Sequence, residues 1–138
     1  EAMDDMMAII KEHMDDRLPP KEIIIGFNEN GIYKAYKQND IESNVIINDS
    51  IGGTPVMLVS LFSENSRAFE RVIDGDVFDF VYESGKILDV QTNSEWNYDG
   101  LAISGVSKGL QLERMAIEPG FWFEWVAFHP ETLVYGVK

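Results

Sequence analysis

The sequence predicts an α+β domain: antiparallel β-hairpins forming a curved sheet or barrel, with an amphipathic helix at the N-terminus and a short helix near the C-terminus. Three observations carry this expectation. Turn pairs recur between apolar, β-branched runs at Asn30-Gly31, Gly52-Gly53 and Asp74-Gly75. Methionine and isoleucine recur at three- and four-residue steps ahead of Pro19, the spacing of one helical face. An aromatic run, FWFEWVAFH, lies between Pro119-Gly120 and Pro130.

The N-terminal helix is expected over residues 2 to 17, with Met3, Met6, Met7, Ile10 and Met14 on one face and Pro19-Pro20 as its stop. A lone amphipathic segment of this length is marginal in water, so the face needs something to pack on. From Glu22 the period changes to two. EIIIGFNENGIYKAYK reads as a hairpin about Asn30-Gly31, because that pair accepts the positive φ angles of a tight β-turn. NVIIND and TPVMLVSLF read as a second hairpin about Gly52-Gly53, with Pro55 at the start of its strand, where a missing amide is tolerated. AFERVIDGDVFDFVYE reads as a third about Asp74-Gly75.

KILDVQ, EWNYDGLAISG and LQLERMAI supply shorter extended pieces. In the aromatic run, Phe121, Trp122, Trp125 and Phe128 recur at helical steps, which predicts a helix starting near Glu118 or Pro119 and stopped by Pro130, then a last strand, TLVYGV. The chain divides into an N-terminal helix, 1–20, and one β-rich domain, 21–138.

Composition narrows function by exclusion. A length of 138 residues suits one domain with a core that needs no staple. Against 11 Lys and Arg stand 24 Asp and Glu, and the net charge of −13 disfavours nucleic acid and anionic lipid, which are held by neutralising phosphate. With no cysteine, a disulfide framework, a thiolate metal centre and a thiol nucleophile are excluded. No window approaches the roughly 20 apolar residues of a membrane-spanning helix. The chain opens at Glu1 rather than a methionine, which fits a form from which a signal or anchor has been removed.

From IINDSIGGTPV onward the sequence resembles a bacterial and archaeal domain family of unknown function, numbered three-one-seven-nine, over most of residues 22 to 135. Ala35-Tyr36, Asn48-Asp49-Ser50-Ile51-Gly52-Gly53 and Pro55-Val56 stand where the family pattern has A-Y-P and N-D-x-I-G-G-x-P-V. Phe69, Arg71, Asp74 and Gly75 fit its F-D-R-x-V-D-G block, and Asp89, Gln91, Thr92, Ser94 and Trp96 its D-R-Q-T-x-S-x-W. Gly100, Ala102, Ile103 and Gly105 follow, and Trp122, Glu124, Trp125, His129, Pro130 and Thr132 complete the pattern. Many spaced matches are specific where one short motif is weak.

The departures bear on function. The family's histidine falls on Asn44, and its Cys-Pro-Leu-Cys pair falls on or beside Leu61 and Glu64. Imidazole and paired thiolates are what a soft metal or a redox centre requires; Asn, Leu and Glu do not replace them. The resemblance therefore implies an exported protein with a degenerate site at Asn44, Leu61 and Glu64. In this reading the polar tip Ser63-Glu64-Asn65-Ser66 is an emptied site loop kept as a turn.

These considerations predict a non-enzymatic, exported or cell-surface protein, periplasmic or secreted, that acts by protein binding as an accessory subunit of an assembly, with no cofactor. The partner, another protein or a second copy, is expected on Met3, Met7, Ile10 and Met14, since Met-rich faces adapt to partners. Two alternatives stand beside it. Met3, Met7, His13 and Met14 form a thioether and imidazole set for copper, although methionines at helical spacing are more often packing residues. Asn48, Asp49, Gln91 and Trp96 form an enzyme site if they line a deep polar pocket. His129 is expected to stabilise the end of the last helix, Trp96, Trp122 and Trp125 to fill core, and Asn48, although it opens an Asn-Asp-Ser glycosylation sequon, to serve as a structural turn residue.

Overall fold

The computed structural model describes residues 15–62 and 65–137. The expected helix over residues 2 to 17 therefore lies almost wholly outside the described residues. At its end, Asp15 to Leu18 form turns rather than helix, and Leu18 is buried.

The first hairpin pairs β1 (Ile23–Glu29) with β2 (Ile32–Lys37) about Asn30 and Gly31, whose φ angles are 53° and 78°. Two successive positive φ values match the right-handed twist of the flanking strands. A short helix, α1 (Gln38–Asn44), follows and buries Ile41. The second hairpin pairs β3 (Ile46–Ile51) with β4 (Thr54–Val59) about Gly52 and Gly53.

The third expected hairpin is split. Only β6 (Val72–Ile73) and β7 (Asp76–Val77) pair across Asp74-Gly75. Its first arm, β5 (Arg67–Glu70), pairs instead with β4, and its second, β8 (Phe80–Glu83), with β9 (Lys86–Asp89) across a Ser84-Gly85 turn. Backbone bonds from Arg71 N–H to Pro55 O and from Phe78 N–H to Arg71 O turn the chain out of its ladder there. β10 (Glu95–Trp96) extends β9, and β11 (Glu113–Arg114) extends β5.

Glu118–Phe121 is strand β12, paired antiparallel with β1. The last helix, α2 (Trp122–Phe128), consequently starts later than the sequence suggests, because pairing with β1 wins over the helical spacing of the aromatics. β13 (Leu133–Val134) closes the chain as a parallel neighbour of β2.

The elements stack in layers. α2 lies on the sheet β12-β1-β2-β13; that sheet faces β11-β5-β4-β3; and β10-β9-β8 covers the far side. Among the described residues the sheets stay separate and form no closed barrel. Three apolar cores fill the gaps. Val56 and Leu58 point into the first with Ile25, Phe27 and Tyr36, whereas Met57 and Val59 point into the second with Phe69, Phe80 and Trp96. β4 is thus buried on both faces, which is why TPVMLV reads as a continuous apolar run. The third core packs Leu18, Ile24 and Ala35 against Trp122 and Trp125. Each such large side chain removed from water stabilises by about 1.5–3 kcal/mol.

Candidate functional site

Asn44 ends α1, and its side-chain amide donates to Asp40 O at 2.7 Å. The next residue, Val45, has φ 64° and ψ −50°, a conformation that strains a β-branched residue. Its carbonyl accepts from Ser60 N–H at 2.9 Å, which ties the end of α1 to the end of β4. Val45 and Leu61 accordingly line one cavity of about 230 Å³, with Glu42, Ser60, Phe62 and Tyr82. The fold therefore brings the neighbourhood of Asn44 to that of Leu61; Glu64 lies outside the described residues, as do Met3, Met7, Ile10, His13 and Met14. Among the described residues the lining is mixed, with a carboxylate and hydroxyls beside apolar side chains, and it offers none of the thiolate, thioether or imidazole donors that a soft metal requires.

Asn48 leaves β3 on the side facing β8. Its Nδ2 donates to Phe80 O at 2.8 Å and its Oδ1 accepts from Phe80 N–H at 2.9 Å. It thus supplies to the edge of β8 what a neighbouring strand would supply. Asp49, pointing the other way, accepts at one oxygen from Lys34 Nζ at 2.7 Å and from the Tyr36 hydroxyl at 2.6 Å. Burial pushes the Asp49 carboxyl up, but the bonds from Lys34, Tyr36 and the Ser50 amide, with the Lys34 charge, outweigh it and hold the group below its ordinary range. Burial and the Asp49 bond together push the Tyr36 phenol far upward, so it stays a donor.

Arg71 is buried beneath this region. Nε donates to Val56 O at 2.8 Å, Nη2 to Asp49 O at 2.9 Å, and Nη1 to Phe78 O at 3.2 Å and Asp79 Oδ1 at 3.0 Å. Gln91 braces the same loop, accepting from Asp79 N–H and donating to Asp79 Oδ2, both at 2.9 Å.

Asp89 is fully buried. It accepts from Trp96 Nε1 at 2.8 Å, from Thr92 N–H at 2.5 Å and from the Thr92 hydroxyl at 2.7 Å. The Ser94 and Ser107 hydroxyls lie 2.7 and 2.9 Å from Thr92 Oγ1, and Ser94 Oγ accepts from Ser107 N–H. With the Thr92 proton directed to Asp89, both serine hydroxyls donate to Thr92. The four residues expected to form an enzyme site, Asn48, Asp49, Gln91 and Trp96, are each hydrogen-bonded within the fold, each to different partners.

The other two tryptophans follow the packing expectation. Trp122 and Trp125 are buried; their indole N–H groups donate to Asp15 O at 3.1 Å and to Thr132 Oγ1 at 2.8 Å. His129 caps α2 by donating its backbone N–H to Trp125 O, and its ring stacks on Tyr33 with centroids 3.9 Å apart. A feature that the sequence did not suggest is an open groove of about 820 Å³ whose lining includes Lys21, Gln38, Glu42, Ser66 and Arg114. Inside it the Ser66 hydroxyl donates to Gln38 Oε1 and Gln38 Nε2 donates to Glu42. QNDIESN has one apolar residue in seven, so neither its helix nor the buried Gln38 is signalled by periodicity.

Comparison with family models finds one described as "Protein of unknown function (DUF3179)", matching residues 2–132. The chain belongs to this family. The DUF3179 match begins at residue 2 rather than near 22, so the methionine-bearing segment lies within the family's domain. Comparison with curated proteins finds no match, and comparison with solved structures finds none. The Asp89, Thr92, Ser94 and Trp96 positions, which the DUF3179 pattern groups in one short block, form one buried hydrogen-bonded cluster in this chain.

Proposed function

We propose that this DUF3179 member is a non-enzymatic, exported or cell-surface protein that works by binding a protein partner or a second copy, as an accessory subunit of an assembly. One observation carries the reading. Asn48, Asp49, Gln91 and Trp96 direct their polar atoms to partners inside the fold, and the cavity between Val45 and Leu61 presents, among the described residues, no thiolate, thioether or imidazole. Such a lining suits docking better than electron transfer or the capture of a soft metal. The strained Val45 marks the same position, and strain of this kind concentrates where a site is or was.

The partner surface remains the methionine face, Met3, Met7, Ile10 and Met14, on its composition alone. Asp15, Arg17 and Leu18 are bonded or packed into the domain, with Arg17 Nη1 donating to Thr132 O at 2.8 Å. A truncation that tests the surface therefore removes residues 1–14 and no more. The test is recovery of the tagged full chain and of the truncated chain from the native host, with circular dichroism to check both. A partner or second copy held in fixed stoichiometry by the full chain and lost on truncation is expected. Equal recovery by the folded truncation, or copper retained in fixed stoichiometry by the full chain, overturns the reading.

A further inference from the structure

A groove of about 420 Å³ lies between β12 and α2, lined in part by Glu118, Gly120, Phe121, Glu124, Trp125 and Phe128. Its volume is that of a small-ligand site. Two properties of its wall are unusual together. Phe121 and Phe128 stay 40% and 81% exposed, although burying such rings is favourable. Beside them stand two carboxylates, Glu118 and Glu124, neither of which makes an ion pair among the described residues.

The backbone leaves the floor open. A Cβ built on Gly120 would meet one atom within 4 Å, Glu124 Oε1 at 4.0 Å. The glycine thus keeps a side chain's worth of space clear beneath the carboxylate, in a strand where its backbone needs no positive φ. Aromatic faces attract an organic cation through their quadrupole, and a carboxylate supplies the countercharge. A bare metal ion has no use for the rings, and a neutral apolar ligand none for the carboxylates.

We propose that this groove binds a small organic ammonium ligand, of the class whose nitrogen carries methyl groups. The methyls pack on Phe121 and Phe128 while the charge faces Glu118 and Glu124. The groove shares no lining residue with the cavity beside Leu61.

The test is a titration of the full chain with choline, read by tryptophan fluorescence and by calorimetry, beside 3,3-dimethylbutan-1-ol, a neutral molecule of nearly the same shape. Choline is expected to bind with Kd of roughly 0.1–1 mM, and the neutral molecule about tenfold more weakly or worse. Gly120→Leu, which fills the floor, is expected to abolish binding with the circular dichroism spectrum kept. Should that variant misfold, Glu124→Gln and the exposed Phe128→Ala give the same readout, each weakening choline about fivefold. No saturable binding up to roughly 10 mM, equal binding of the neutral molecule, or unchanged binding in the folded variants overturns the proposal.

Discussion

Asn48 holds the backbone of Phe80 at both its polar atoms, donating to the carbonyl at 2.8 Å and accepting from the amide at 2.9 Å. One side chain thereby fastens β8 to β3, and so one sheet to the next. Asn48→Asp replaces the donor with a second acceptor that faces Phe80 O. A loss of about 1–2 kcal/mol is expected in urea unfolding, from one broken bond and one unfavourable contact.

Arg71 depends on the fork of its guanidinium, because three nitrogens reach three carbonyls and Asp79 at once. Lysine keeps the charge but has one nitrogen, so Arg71→Lys leaves carbonyls without donors. The expected cost is about 2–3 kcal/mol, read as a lower urea midpoint.

Asp49 and Glu70 give opposite pH slopes. The Asp49 carboxyl lies below its ordinary value of 3.8, since the Lys34 and Tyr36 bonds outweigh the upward push of burial. Its contribution is fully present above that value and is lost as pH falls through the lower folded-state value. Glu70 faces Glu113 across β5 and β11. Burial, then the Glu113 bond and charge and the Glu29 charge, raise Glu70 above 4.5. It stabilises below 4.5 and loses this as pH rises through the higher folded-state value. Glu70→Gln is therefore expected to stabilise at pH 7, by about 0.2–1 kcal/mol, and to leave stability little changed at pH 3. Asp49→Asn is expected to destabilise at pH 7 and to flatten the acid limb of a thermal-melt series.

Gly26 lies under Trp125, where an added Cβ would come within 2.4 Å of the ring carbon Cζ3. The ring is buried and packs edge-on against the stacked pair of Tyr33 and His129, so it has nowhere to retreat. Gly26→Ala is expected to lower stability by about 1–3 kcal/mol, as overpacking does, and to shift the near-UV dichroism of the tryptophans.

What was legible in the sequence was local. Asn30-Gly31, Gly52-Gly53 and Asp74-Gly75 all turn the chain with positive φ, as their side-chain chemistry requires. The split of the third hairpin was not legible, because Arg67–Glu70 finds β4 through contacts distant in sequence. α1 leaves no periodic signal, because Ile41 is its one apolar residue. α2 starts later than the spacing of its aromatics suggests, because pairing of Glu118–Phe121 with β1 overrides helical spacing. The motif residues were visible as a set, but their partners were not: Asn48 reaches a backbone 32 positions away. Sequence pattern shows that such residues belong together, whereas only the register of the strands shows whether they face a ligand or one another.

The most direct measurement is the unfolding free energy of Asp89→Asn at pH 7. Asp89 is closed to solvent and receives the Trp96 indole and two Thr92 donors. The nearly isosteric amide turns an NH₂ group toward one of those donors, so a fold held by the retained motif residues should lose about 2–3 kcal/mol. Stability equal to or above that of the unaltered chain would contradict this, since a residue kept for chemistry rather than structure can be replaced without weakening the fold.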